Sequence, residues 1–323
     1  MQVLITDKRK DYKQRKMTKT AYLFAGQGAQ YLGMGRDLYD QYEIVRITFD
    51  EATSALGYNV RELIDSDEKK LNQTRYTQPA ILTTSVAIWR LLQEKGARAD
   101  MVAGLSLGEY SALVASGALE FKEAVALVAK RGEYMELAAP AGSGKMVAVL
   151  NADVEMIEKA CQSASHYGIV APANYNTPAQ IVIGGEVTAV DVAVNLLKDA
   201  GVKRMIPLNV SGPFHTALLQ PASERLGEAL ASVSFRDFDI PLVGNTLAQV
   251  MTKEEIVPLL TRQVKEPVRF YDSVACLQEA GVTDFVEIGP GAVLSGFLKK
   301  IDRSASIRQV ENLATLEAFV IEE

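Results

Sequence analysis

The chain has 323 residues, of which 48% are hydrophobic and 23% charged, with a net charge of −6. That length allows one large domain plus a smaller one, around a core that needs no disulfide or metal to hold it. No run approaches the ~18 apolar residues of a membrane span, and the acidic balance argues against a nucleic-acid partner.

Residues 1–16 differ from the rest: Lys8, Arg9, Lys10, Lys13, Arg15 and Lys16 stand against Asp7 and Asp11. The segment reads as a disordered extension with Met17 as the natural beginning, because the apolar Val3-Leu4-Ile5 is too short for a signal peptide. A buried strand is expected over 20–25, ended by Gly26, and a core-facing helix with an early proline over 78–94. A short buried strand over 100–105 leads into helices at 107–115 and 121–138. From residue 145 the rhythm changes. Strand 145–150, helix 153–163, strands 169–175 and 180–184, helix 187–200 and strand 202–208 follow in turn, the β-α-β-β-α-β order of a ferredoxin-like unit. It begins after Ala141-Gly142-Ser143-Gly144, a natural linker. Helices near 217–231, 253–262, 270–280 and 291–300, with strands near 241–244 and 284–288, complete the pattern.

Strands alternating with longer helical stretches predict an α/β fold with a mainly parallel sheet. The expected architecture is a large α/β-hydrolase-like domain, residues 17–143 and 209–323, interrupted by a ferredoxin-like small domain at 144–208. An insertion beside a large domain creates a cleft, where ligands tend to bind.

Gly104-Leu105-Ser106-Leu107-Gly108 lies between a predicted strand and a predicted helix, the setting that a nucleophile elbow requires. A sharp turn there lifts the serine oxygen above the sheet, and the helix starting at Leu107 adds free N–H groups and a positive dipole end. A serine hydroxyl needs a base, and the chain has two histidines. His166 ends a helix, where interaction with the helix dipole is a sufficient reading. His215 lies in the loop Ser211-Gly212-Pro213-Phe214-His215-Thr216 and is assigned as general base. Arg131 sits in the helix 121–138 among Val125, Leu127 and Val128, which suggests burial. A buried guanidinium is either paired internally, here with Glu109 or Glu133, or held for an anionic ligand. Met135, one turn along on the same face, would add a soft apolar wall for a short acyl group ending in a carboxylate.

Phe24-Ala25-Gly26-Gln27-Gly28-Ala29-Gln30, followed by Gly33-Met34-Gly35, resembles the amino-terminal signature of malonyl-CoA:acyl carrier protein transacylases and polyketide acyltransferase domains. The elbow with Glu109-Tyr110-Ser111-Ala112, then Arg131-Gly132 and Met135, then Asn174 to Gln180 and Pro213-Phe214-His215, appear in that family's order and spacing. So do Gln263 with Pro267-Val268-Arg269-Phe270, and Glu287-Ile288-Gly289-Pro290-Gly291. Several separated motifs in one order are far more specific than any single one.

The resemblance implies an acyltransferase that moves malonyl from malonyl-CoA to the phosphopantetheine thiol of acyl carrier protein, supplying fatty acid synthesis. Ser106 would carry the malonyl ester with His215 as base, and the backbone N–H groups of Gln27 and Leu107 would form the oxyanion hole. Arg131 would hold the malonyl carboxylate bidentately, with Met135 and Asn176 also at the substrate. The Gln263 backbone carbonyl would orient the histidine, giving a Ser–His dyad with no third carboxylate. Phe214 resembles the bulky residue that crowds out an α-methyl branch in malonyl-selective members. The resemblance also implies a monomer. No cofactor is expected, malonyl-CoA being a substrate, and the scattered histidines and cysteines give no metal constellation. Two unlinked thiols, Cys161 and Cys276, and no export signal point to the cytoplasm.

Lys299 and Lys300 are candidates for docking an acidic carrier protein, their plainer reading being a solvated helix end. The competing functions are a serine esterase or thioesterase on the same elbow and a catalytically silent acyl-binding subunit. Two tempting motifs fail: a dinucleotide fingerprint from Gly26 would need glycine at Tyr31, and a phosphate loop ending at Lys145 would need glycine at Ala139 and a hydroxyl at Met146.

Overall fold

The computed structural model describes residues 19–140, 142–208, 210 and 212–322. The extension expected at residues 1–16 lies outside them, as do Ala141 of the linker and Ser211 of the histidine loop. Strands among the described residues are β1 (Lys19–Phe24), β2 (Met101–Gly104), β3 (Lys145–Leu150), β4 (Val170–Thr177), β5 (Gln180–Gly185), β6 (Arg204–Pro207), β7 (Leu242–Val243), β8 (Val282–Ile288) and β9 (Ser306–Val310).

The large sheet has the order β7-β2-β1-β8-β9, and every pairing in it is parallel. Tyr22 and Phe24 of β1 enter the core on one face, Ala21 and Leu23 the core on the other. Both faces are covered, so the strand reads as an unbroken apolar run. Helices Glu43–Leu56, Thr74–Glu94 and Phe121–Ala138 contribute to the first core, and Phe270–Glu279 and Val293–Ile301 to the second. From β1 the chain steps outward to β2 and β7, then crosses to the other side for β8 and β9. Such a switch point opens a crevice beyond the carboxyl ends of the strands, and Gln27, Ser106 and Asn245 follow β1, β2 and β7 there.

The other four strands form an antiparallel sheet, β4-β5-β3-β6. Helices Val154–Ala164 and Val187–Asp199 cover one face through Val149, Ile157, Ile183 and Leu197. The opposite face turns Met146, Ala148, Ala173 and Val182 into the main core. Tyr175 N donates to Val268 O at 2.8 Å and Val268 N to Ala173 O at 2.9 Å, which stitches β4 to the loop ahead of Phe270.

Several elements escape the periodicity of the chain. Helices Arg36–Gln41, Val60–Ser66 and Glu68–Leu71 are too short to show a repeat, and Glu43–Leu56 does space its buried Val45, Thr48, Phe49 and Ala52 at the helical period, but a threonine and a small alanine blur the stripe. Strand β9 is a half-exposed edge carrying Arg308 and Gln309. The helix expected from 78 begins at Thr74, so Pro79 lies inside it. A tertiary partner supports the added turn: Glu136 of the neighbouring helix accepts from Arg75 N at 3.2 Å and Arg75 Nε at 2.6 Å.

Candidate active site

The elbow is built by close approach. A Cβ on Gly104 would stand 2.0 Å from Gly108 C, and one on Gly108 would stand 2.1 Å from the Phe24 carbonyl oxygen. Strand, turn and helix Gly108–Ala115 therefore meet where no side chain fits. Ser106 has φ 54°, a left-handed conformation that costs a non-glycine residue ~1–2 kcal/mol. Asn245 braces it: Oδ1 accepts from Ser106 N at 2.6 Å, and Nδ2 donates to Gly104 O at 2.6 Å.

His215 Nε2 lies 2.8 Å from Ser106 Oγ, and its Nδ1 lies 2.7 Å from the Gln263 carbonyl oxygen. A carbonyl only accepts, so the proton sits on Nδ1 and the Nε2 lone pair faces the hydroxyl. Burial, aided by the nearby Arg131 charge, lowers the imidazole pKa to about 4. The ring is thus neutral at pH 7 and free to take a proton.

Arg131 is 1% exposed. Its Nη2 donates to Ser106 Oγ at 3.1 Å and to Gln263 Oε1 at 2.9 Å, and its guanidinium carbon lies 5.4 Å from the centre of the Tyr110 ring. Nε and Nη1 have no well-aligned acceptor among the described residues. Of the two carboxylates that could pair with it, Glu133 is exposed and Glu109 is reached through Gln263. Gln263 Nε2 donates to Glu109 Oε2 at 2.6 Å and to Ser106 O at 3.0 Å. Burial pushes the Glu109 carboxyl up to about 7, against the opposing pull of these hydrogen bonds and of Arg131.

The backbone N–H groups of Gln27 and Leu107 enter no other hydrogen bond among the described residues. The Gln27 side chain is held by Thr74 Oγ1 at 3.1 Å and by Gln78 Nε2 at 3.3 Å; Gln78 Nε2 also lies 3.3 Å from Met135 Sδ. A cleft of about 390 Å³ opens over Ser106 and His215. Gln27, Met135, Phe214 and Phe297 line it from the large-sheet side, Asn176 and Val182 from the small sheet. A hydroxyl held on a neutral imidazole, beside unclaimed N–H donors and a half-satisfied guanidinium, can attack a carbonyl whose substituent ends in an anion.

Residues 21–317 match the acyl transferase domain family. The chain belongs to that family. The malonyl CoA-acyl carrier protein transacylase of Bacillus subtilis is 47% identical over 307 residues, covering 94% of this chain and 97% of that one. The crystal structure of MCAT from Streptococcus pneumoniae superposes with a TM-score of 0.93 at 71% identity, covering 94% of this chain and 100% of the other. A malonyl-transacylase in complex with its type II PKS acyl-carrier protein gives 0.92 at 42% identity, with coverage of 95% and 100%.

In this acyl transferase domain eight of the nine residues singled out for the site fall into two groups. Ser106, His215, Arg131 and Gln263 form one hydrogen-bonded cluster; Gln27, Met135, Phe214 and Asn176 line the cleft, and Leu107 follows the serine. His166 is exposed in a short turn, Ser165–Tyr167. Lys299 and Lys300 are exposed at the end of the helix whose Val293 and Phe297 line the cleft. Asn245 is a polar residue that the motifs left without a role, and Glu109 entered only as a possible direct partner of Arg131, not as one reached through Gln263. The position of Asn245 just beyond a strand end, in Gly244-Asn245-Thr246, was the available signal. Among the described residues no cluster of His, Cys, Asp and Glu could hold a metal ion, and no helix is long and apolar enough to cross a membrane.

Proposed function

We propose that this protein transfers malonyl from malonyl-CoA to the phosphopantetheine thiol of acyl carrier protein in the cytoplasm, as a monomer, supplying fatty acid synthesis. The observation that carries the reading is Arg131: a buried guanidinium 3.1 Å from Ser106 Oγ, two of whose nitrogens have no well-aligned acceptor among the described residues. An esterase would have no use for a buried cation beside its nucleophile. A malonyl carboxylate supplies the missing acceptor.

In the first half-reaction His215 Nε2 takes the Ser106 proton as Oγ bonds to the thioester carbon. The oxyanion is held by Gln27 N and Leu107 N. The C–S bond breaks, the sulfur takes the proton from His215, and coenzyme A leaves, giving a malonyl ester on Ser106. In the second, the carrier-protein thiol loses its proton to His215 and attacks the ester; Ser106 recovers the proton as it departs. Phe214 at the cleft wall would disfavour an α-methyl branch, a discrimination worth only ~1–3 kcal/mol. Residues 144–208, as an inserted domain, close the cleft over residues 17–143 and 209–323. No metal or cofactor enters these steps.

The test is intact mass spectrometry after mixing with malonyl-CoA. The reading expects a stable malonyl adduct on Ser106 that carrier-protein thiol discharges. Free malonate without adduct would replace transfer by hydrolysis, and no reaction would leave a binding subunit.

A further inference from the structure

We propose that Glu109 is a positioning residue for substrate selectivity, acting on Arg131 through the side-chain amide of Gln263; this rests on the malonyl-transfer reading above. An amide is nearly symmetric in shape but not in function: one end only accepts and the other only donates. In Gln263 the accepting end faces Arg131 Nη2 at 2.9 Å, and the donating end faces Glu109 Oε2 at 2.6 Å. Reversing the amide would set its NH2 against a guanidinium, which has no acceptor. Ser106 O, also 3.0 Å from Gln263 Nε2, favours the same orientation, but it is a neutral carbonyl, whereas Glu109, in its ionised form above about pH 7, makes a charge-assisted bond.

Glu109 is fully enclosed, and its Oε2 also accepts from Asn245 N at 3.3 Å. It makes no direct ion pair with Arg131 among the described residues. A carboxylate bound straight to the guanidinium would compete with the malonyl group for the same nitrogens. Placed one amide away, it holds Nη2 through Gln263 and leaves Nε and Nη1 for substrate. The arrangement predicts a role in recognising the acyl carboxylate over and above the shape of the elbow.

The experiment compares loading rates from malonyl-CoA and acetyl-CoA by intact mass, because acetyl has no carboxylate for Arg131. Glu109→Leu keeps the volume and removes the acceptor. Its malonyl-to-acetyl ratio is expected to fall by at least about tenfold, the equivalent of one well-formed charged hydrogen bond. Glu109→Gln, which keeps an acceptor oxygen at the same place, should restore the ratio to within about threefold of wild type, as a neutral acceptor replaces a charged one. Gln263→Met breaks the relay while keeping Glu109 and the backbone carbonyl that holds His215, so it should lower the ratio as Glu109→Leu does; it also serves if Glu109→Leu fails to fold. Equal losses with both donors in Glu109→Leu, or an unchanged ratio in Gln263→Met, would overturn the inference. Arg131→Ala separates this from the parent reading. A ratio unchanged in Arg131→Ala removes the carboxylate clamp itself, whereas a collapse there with normal ratios in the other two removes only the relay.

Discussion

On the large-sheet side of the cleft, Ser106, His215, Arg131, Gln263, Glu109 and Asn245 hold one another through hydrogen bonds that leave few alternatives. On the small-sheet side, Asn174, Asn176, Gln180 and Val182 line the same space, and the buried Asn176 Oδ1 has no partner among the described residues. The first wall is assembled from the ends of parallel strands that converge on one crevice, so it can fix atoms to tenths of an ångström. The second is one face of an antiparallel sheet laid against it, setting the amides of Asn174, Asn176 and Gln180 beside Val182, and fit to enclose a ligand. Chemistry needs the former kind of wall; exclusion of water and choice of shape need the latter. Substitutions should therefore grade steeply with distance from the elbow.

The largest effect is expected at Gly108. Gly108→Ala puts a carbon 2.1 Å from a backbone oxygen that cannot swing away, so stability should fall by about 4 kcal/mol, the upper end of single-substitution effects. Gly142, between the helix Phe121–Ala138 and β3, makes the contrast: its φ of 88° strains an added side chain, but nothing lies within 4 Å. Gly142→Ala should cost ~1–2 kcal/mol. Denaturant unfolding of the two variants reads the difference directly. Equal losses would mean that the elbow backbone can yield.

Next comes Asn245→Ala, which orphans Ser106 N and Gly104 O inside the protein. Each buried group left unpaired costs ~1–3 kcal/mol. The left-handed serine loses its brace at the same time, so the rate of malonyl loading should fall by about a hundredfold. An unchanged rate would mean that the glycines alone hold the turn.

These residues mark how far the chain could be read without coordinates. Ser106 is legible because glycines two residues to either side and a strand-to-helix switch are local signals. His215 is legible by elimination, there being two histidines, and Arg131 because a cation in an apolar helix demands a partner. Both α/β layers and the β-α-β-β-α-β run follow from strand and helix periods. Asn245 is silent, and Glu109 is legible only as a possible direct partner of Arg131, because their contacts join segments 136 or more positions apart. Strand β9 and the short helices between residues 36 and 71 stay hidden for the complementary reason: their burial is set by neighbours and not by their own pattern.

The third expectation concerns pH. With the imidazole pKa near 4, the base stays competent well below the usual histidine range, and the acid limb of acyl loading should fall near pH 4. The same shift is a stability cost on acidification. Between about 6.5 and 4 the unfolded chain binds a proton that the native state refuses, so stability falls as pH falls through that window. Arg131→Met removes one of the two causes. Measured with acetyl-CoA, which needs no carboxylate clamp, its acid limb should move to higher pH; an unmoved limb would mean that burial alone sets the base.

The smallest effect belongs to the small sheet. Asn176 is buried at the cleft with its side-chain oxygen unpaired among the described residues, so a bound acyl-CoA can offer it a donor. One neutral hydrogen bond is worth ~0.5–1.5 kcal/mol, or about a twofold to tenfold change in affinity. Asn176→Ala should raise KM for malonyl-CoA by that factor and leave kcat within about twofold, because uniform binding does not lower the chemical barrier. A fall in kcat with KM unchanged would put Asn176 in contact with the transition state, and the division of labour between the two walls would then have to be redrawn with the small sheet on the reacting side.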